Sequence, residues 1–415
     1  MTLARTLVAL CSIVFALTLL GADAPVTQVS GWRGDGTGCY PNADPVLDWA
    51  LNPKKNIKWA AEIGQSHSSP IVAGDKIFVT VEPDKLVCLN KADGKLLWTK
   101  SSGFADLPND VASQIEADKK TPHTEGGYAT PSPVTDGKRV FVYFGTSIAA
   151  CYDFSGERKW IIYLDYQQPV SECRAVSPII AGGFLILQPD PLVALNPDTG
   201  KVVWANEKEQ IPGSYGTSVV GKMGETEVLV TATGDVVRLS DGKILVQEIG
   251  KVFHPSPIIK DNIVYFITDT ANAIPLPTRV GEKMTAKDFP EKWSATLEQG
   301  FFATSVLHDG LIYAISRNAE YMVLDAAKGD IVLRKPLDLI ETGKNPKPQM
   351  YPSVTLGGKH IFVSNDAGDT VILEPGREFK ETARIKFGDG SAASPVFDGP
   401  VFYLRGEKTL YCVGK

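Results

Sequence analysis

Read for apolar and polar positions, the chain divides into many short β-rich runs separated by turn residues. In the first clear example, Pro70-Ile71-Val72, Ile77-Phe78-Val79, Leu86-Val87-Cys88-Leu89 and Leu96-Leu97-Trp98 are divided by Ala73-Gly74-Asp75, Glu82-Pro83-Asp84 and Ala92-Asp93-Gly94. Runs of about five to seven residues with tight turns predict antiparallel meanders of four strands. A glycine in the last turn permits positive φ. The tryptophan that follows then sits on the outermost strand, able to pack against a neighbouring unit.

The same unit recurs. Ser69-Pro70-Ile71-Val72-Ala73-Gly74 is echoed by Ser132-Pro133-Val134-Thr135-Asp136-Gly137 and by Ser177-Pro178-Ile179-Ile180-Ala181-Gly182, with looser copies starting at Ser218, Ser256, Ser305, Ser353 and Ser394. A second signature follows, ending in Trp98, Trp160 and Trp204, each preceded four residues earlier by Gly94, Gly156 or Gly200. One four-stranded unit cannot bury both its faces, so units must stack. At a period of about 40–50 residues the common solution is a propeller. Eight starts predict an all-β, eight-bladed β-propeller of four-stranded antiparallel sheets.

Closure can be read from the ends. The last unit supplies only three runs, over 392–397, 401–405 and 409–413, while Asn56–Ala61, with Trp59, is a strand lacking a unit. Together they complete one blade and remove two free sheet edges. Trp59, Trp98, Trp160 and Trp204 are accordingly expected to dock blade against blade. The chain organisation is a leader (1–24), an N-terminal arm (25–54) and a propeller (55–415) carrying an insertion at 103–127, in which 110–120 suits a short helix over one channel mouth.

Composition changes this picture little: 43% apolar and 22% charged residues are ordinary for a soluble domain. The net charge of −6 and the absence of a basic run argue against a nucleic-acid partner. Residues 1–24 carry Arg5, an apolar stretch to Leu20 and Ala22-Asp23-Ala24, the pattern of a cleaved export signal. The stretch is too short to span a bilayer, and no other segment could cross one. The expected location is the periplasm or the medium.

The Asp-x-Thr-Gly-Lys-x-x-Trp segment ending at Trp204 and its copies at 94–98 and 156–160 resemble pyrroloquinoline-quinone-like propeller repeats. Trp32-Arg33-Gly34-Asp35-Gly36-Thr37-Gly38 and Tyr128-Ala129-Thr130-Pro131-Ser132-Pro133 are similar to segments of a group of exported bacterial propellers frequent in planctomycetes. The same fold underlies the quinone alcohol dehydrogenases and the lipoprotein scaffold of the outer-membrane assembly machine, so the resemblance implies a fold and leaves function open. The dehydrogenases place adjacent cysteines over the quinone; this chain has no Cys-Cys pair and no Cys-x-x-Cys-His. Their calcium ligands cannot be matched here, so pyrroloquinoline quinone with calcium is not the expected cofactor.

Five histidines show no metal-ligand spacing, and no nucleophile elbow or phosphate loop is present. No catalytic or metal residue is assigned. Cys88, Cys151 and Cys412 occupy one small apolar strand position of the repeat. Cys39 and Cys173 fall outside it, in loops, and are a candidate disulfide in an oxidising compartment. The remaining constellation precedes the innermost strands, where blades converge at one channel mouth: His67, Tyr128, Arg174, Tyr215, His254, Phe302 and Tyr351. Aromatic, histidine and arginine side chains from separate blades suit a ligand site; packing against the arm and the insertion is the alternative. The expected function is an exported, non-catalytic binding or scaffolding propeller with a protein, small-molecule or carbohydrate partner. A quinone-dependent oxidoreductase and a carbohydrate or polymer binder remain the alternatives.

Overall fold

The computed structural model describes residues 29–115, 126–166, 173–188, 191–206, 213–340 and 347–415. These form eight sheets, each with a four-stranded antiparallel meander. Blade 1 runs from its innermost strand A (Ile71–Ala73) through B (Lys76–Val81) and C (Lys85–Asn90) to the outermost strand D (Leu96–Ser101). The inner strands of blades 2 to 8 begin at Val134, Ile179, Val219, Ile258, Val306, Thr355 and Val396. Ring closure is as expected. Ile57–Glu62 pairs with Thr409–Val413, setting Trp59 opposite Cys412, so one blade is built from both ends of the chain. No helix among the described residues is long and apolar enough to cross a membrane.

The core lies between blades, because both faces of each sheet meet neighbours. Its joints are tryptophan–glycine pairs. The indole N–H groups of Trp59, Trp98, Trp160 and Trp204 donate to the next blade's C–D turn, at the carbonyls of Lys91, Phe154, Pro197 and Leu239 (2.9–3.1 Å). Each ring lies against that turn's glycine: Gly94, Gly156, Gly200 or Gly242. Trp98 is half-buried and the other three are buried. A fifth pair, Trp293 with Ala326 and Gly329, repeats the arrangement between blades 5 and 6. It was hidden in the sequence because residues 276–292 separate Trp293 from the preceding strand.

A second ring holds the blades at the axis. Two residues before each inner strand stands a hydroxyl that accepts the amide N–H of its counterpart in the preceding blade. Ser69 donates to Ser132 (2.9 Å), Ser132 to Ser177 (3.0 Å), Ser177 to Thr217 (3.2 Å) and Thr217 to Ser256 (2.8 Å). Ser256 continues to Thr304 (2.9 Å), Thr304 to Ser353 (3.2 Å), Ser353 to Ser394 (2.9 Å), and Ser394 closes on Ser69 (3.0 Å). The register read for blades 4 and 6 is therefore corrected by one residue. Thr217 and Thr304, not Ser218 and Ser305, are the repeat positions, since threonine supplies the same acceptor.

The N-terminal arm does not lie across the rim. It enters the channel. Ser30 pairs with Thr135 of blade 2's inner strand, and Cys39–Tyr40 adds a parallel strand inside Thr355–Gly357 of blade 7. Between them Arg33, 1% exposed, donates to the carbonyls of Ser305 (2.9 Å), Val354 (3.1 Å) and Thr37 (2.9 Å). Burial lowers its pKa to about 10. The arm leaves past the Gly358 and Gly399 turns and packs Trp49 between Phe362 and Phe402, wedging blades 7 and 8.

The structure leaves the candidate disulfide pair unbridged. Cys39 lies down the channel with its Sγ 3.6 Å from the Leu307 carbonyl, whereas Cys173 sits at the mouth before blade 3. Cys88, Cys151 and Cys412 are buried as expected. Among the insertion's described residues the helix is a single turn, Asn109–Ala112, Leu107 and Ile115 pack on Ile148 of blade 2, and Gly126 lines the cavity at the channel mouth. Residues 116–120 of that expected helix, and the leader at 1–24, lie outside the described residues.

Candidate functional site

The channel end at which the inner strands begin also carries the long connections between blades, including residues 102–133 and 337–354. Loops on a rigid scaffold are where binding groups concentrate. At this mouth a cavity of about 480 Å³ opens, within the usual range for small-molecule sites. The Ser and Thr hydroxyls of the ring surround its base, and Trp32 of the arm forms part of its lining. Because the arm occupies the channel beneath, the cavity is a blind funnel.

The wall is set by one position per blade, two residues before each ring hydroxyl. Blades 4 to 7 present Tyr215, His254, Phe302 and Tyr351 there, and these rings form a continuous crescent. Tyr215 and His254 are stacked (5.1 Å, 4°), His254 meets Phe302 edge-on (4.8 Å), and Phe302 leans on Tyr351 (5.0 Å). Phe253 adds an edge-on ring against His254 and is 44% exposed, as is Tyr351. Offset and edge-on contacts of this kind fix aromatic rings in place. The other blades present small groups, Thr130, Ala175 and Ala392, with His67 among them. The Nδ1 of His67 accepts the Ala392 N–H (3.4 Å). Burial, then the nearby Arg405 charge, lowers its pKa, so the ring is neutral near pH 7.

Of the seven residues proposed from sequence, His67, Tyr215, His254, Phe302 and Tyr351 line the cavity. Tyr128 and Arg174 do not. Arg174 is 2% exposed, with its guanidinium on the Tyr143 ring (5.0 Å) and bonded to the hydroxyls of Tyr143 and Ser147. Tyr128 uses its amide to bind Glu82 (2.9 Å). Both fall out of register: Tyr128 is four residues before Ser132 and Arg174 three before Ser177, where the five others hold a spacing of two. That constant spacing would have found Thr130 and Ala175 instead. Trp32, Cys173 and Asp366 also line the cavity and were missed. Asp366 accepts the Gln349 N–H (2.7 Å), and burial raises its pKa.

Among the described residues no Lys or Arg lines this cavity, and no three His, Cys, Asp or Glu side chains group as a metal site. A quinone bearing several carboxylates, held with calcium, would need such cationic and carboxylate partners. The described donor set does not fit that pair.

The comparisons with known proteins agree on architecture. Among solved structures, BamB from Moraxella catarrhalis superposes with a TM-score of 0.59 at 10% identity, covering 86% of this chain and 96% of that one. The computationally designed Ika8 protein gives 0.60 at 8% identity (87% and 100% covered). The C-terminal WD40 domain of Sif2 gives 0.57 at 11% (86% and 99%). At such identities the likeness is one of fold alone. A search of curated protein sequences finds no significant match. A family profile described as outer membrane protein assembly factor BamB, built on the pyrroloquinoline-quinone-like repeat, matches residues 49–332, and the chain belongs to that family.

Proposed function

We propose that the protein is an exported, non-catalytic binding propeller whose ligand or partner engages the plugged channel mouth. One observation carries this reading: a blind cavity of about 480 Å³ in which an aromatic crescent from four blades faces His67 and three small side chains from the others. A rim serving only to close the channel would be packed flat, and the arm already closes it. Export rests on the leader at 1–24 and suits the BamB-like family. The test is Ala392→Trp, which places an indole in the open half of the mouth, alongside Tyr351→Ala in the crescent. Binding of the physiological partner should fall in both variants while thermal stability holds. Binding unchanged in both would move the site elsewhere on the ring. Fusion of residues 1–24 to an export-dependent reporter enzyme checks the leader, with an inactive fusion counting against export.

A further inference from the structure

Resting on the mouth as the binding site, the geometry points to its ligand class: we infer that the funnel takes the end of an uncharged glycan. Three features lead there. The first is the floor. Each ring hydroxyl spends a lone pair on the preceding blade's amide, and none donates to a protein acceptor among the described residues. Their O–H protons are left for the cavity they surround. A hydroxyl can give and take a hydrogen bond, so this ring complements sugar hydroxyls, which do the same.

The second is the wall. The crescent rings, stacked, edge-on and tilted against one another, offer flat apolar surface beside the hydroxyl ring, the pairing needed by a pyranose with its C–H face and its hydroxyl edge. Charge selects among sugars. With no Lys or Arg lining it among the described residues, and with Asp366 in the wall, a sulfate, phosphate or uronate would enter without a described cationic partner.

The third is direction. The arm blocks passage, so a chain cannot thread the channel; only its end can enter. A second cavity, of about 530 Å³, continues outward from His254 and Phe302 and is edged by Asp269, Glu298, Gln299 and Arg317. Planar polar groups there, beside exposed Phe253, suit the residues that follow the buried end. The occupant is therefore an oligosaccharide with one residue in the funnel and the rest along the boundary of blades 5 and 6.

The experiment uses the full mature chain and isothermal titration with defined glucose, mannose, galactose and N-acetylglucosamine saccharides, from monosaccharide to tetrasaccharide. Uronic-acid and sulfated counterparts, a peptide panel and pyrroloquinoline quinone with calcium are run beside them. Trp32 fluorescence reports occupancy, with Trp32→Phe as the silent control. The expected result is binding of a neutral saccharide, weakened about tenfold or more by Tyr351→Ala or Phe302→Ala. Arg317→Ala should weaken the tetrasaccharide about threefold to tenfold and leave the monosaccharide unchanged. Absence of binding by every saccharide overturns the inference, as does equal binding of acidic and neutral forms, or saccharide binding indifferent to the crescent substitutions. If a peptide or the quinone binds and is lost in Tyr351→Ala, the glycan inference falls while the mouth remains the site. If a ligand binds and neither Tyr351→Ala nor Ala392→Trp affects it, the mouth reading falls too.

Discussion

If the blade joints are tryptophans seated on glycine turns, then adding one methyl group at Gly200 should be costly only while Trp160 is present. Gly200 has φ of +70°, and a Cβ placed there would stand 2.8 Å from both Cδ2 and Cε3 of Trp160. Two costs separate. Holding alanine in the left-handed region costs about 1–2 kcal/mol whatever the neighbour. The contact is shorter than the ~3.5 Å of an ordinary carbon pair, so the indole must shift or lift from the turn, which costs about 1–3 kcal/mol as overpacking. Gly200→Ala is thus expected to cost about 2–5 kcal/mol in the native background. Trp160→Ala, which removes a buried indole and its 2.9 Å bond to the Pro197 carbonyl, should cost about 3–5 kcal/mol. In that second background Gly200→Ala should cost only the backbone part, leaving a coupling of about 1–3 kcal/mol. The assay is guanidinium denaturation of the four proteins, comparing midpoints at matched slopes. A cost for Gly200→Ala that is equal in both backgrounds, within about 0.5 kcal/mol, refutes the joint.

The other predictions follow from the two rings, the thiols and His67. Ser132→Ala should cost about 1–3 kcal/mol, because the Ser69 N–H it accepts is buried and left without a partner; a loss near zero in thermal unfolding would mean the ring is not needed for closure. Non-reducing peptide mapping should find Cys39 and Cys173 unbridged; a Cys39–Cys173 peptide would contradict the path of the arm. Burial pushes the Cys88 and Cys151 thiols up to about 12 and Cys412 to about 11, so these three should resist alkylation at pH 8 until the protein unfolds. His67 has a folded pKa below its ordinary 6.5. The unfolded chain therefore binds more protons between the two values, and stability should rise with pH through that window and be flat above about 6.5. His67→Gln should show a shallower loss on acidification, and an unchanged acid limb would remove His67 as its source.

Much of the fold was legible because its determinants are local and repeated. Gly94, Gly156 and Gly200 stand at a fixed distance from a tryptophan, and the orphan strand at Trp59 has one place to go when the last unit lacks a fourth strand. Where the repeat substitutes chemistry for identity, the reading slipped. Thr217 and Thr304 do the work of serine in the hydroxyl ring, and a scan for serine moved to the residue beside each. The mouth shows the same dependence on register. Tyr215, His254, Phe302 and Tyr351 reach the cavity wall because they hold the spacing of two from the ring hydroxyl, while Arg174 and Tyr128 fall outside that spacing and bond within blade 2 and to Glu82.

The arm belongs to a different category, since no repeat encodes it. Its course depends on contacts distant in sequence: Cys39 with Leu356, Arg33 with the carbonyls of Ser305 and Val354, Trp49 with Phe362 and Phe402. An arginine buried without a carboxylate partner among the described residues is expensive on its own. It is tolerated here because Ser305 and Val354, just before the inner strands of blades 6 and 7, present carbonyls that the ring hydrogen bonds leave unused. The propeller thus prepares the seat, and the arm supplies what the eight blades cannot: a floor. Eight blades alone would enclose a channel open at both ends. With Trp32 in its lining, the mouth becomes a blind funnel whose depth is set by a residue outside the repeat. Trp32→Ala should therefore deepen the cavity and alter affinity at the mouth with little change in the stability of the blades, whereas Arg33→Ala should release the arm and change both.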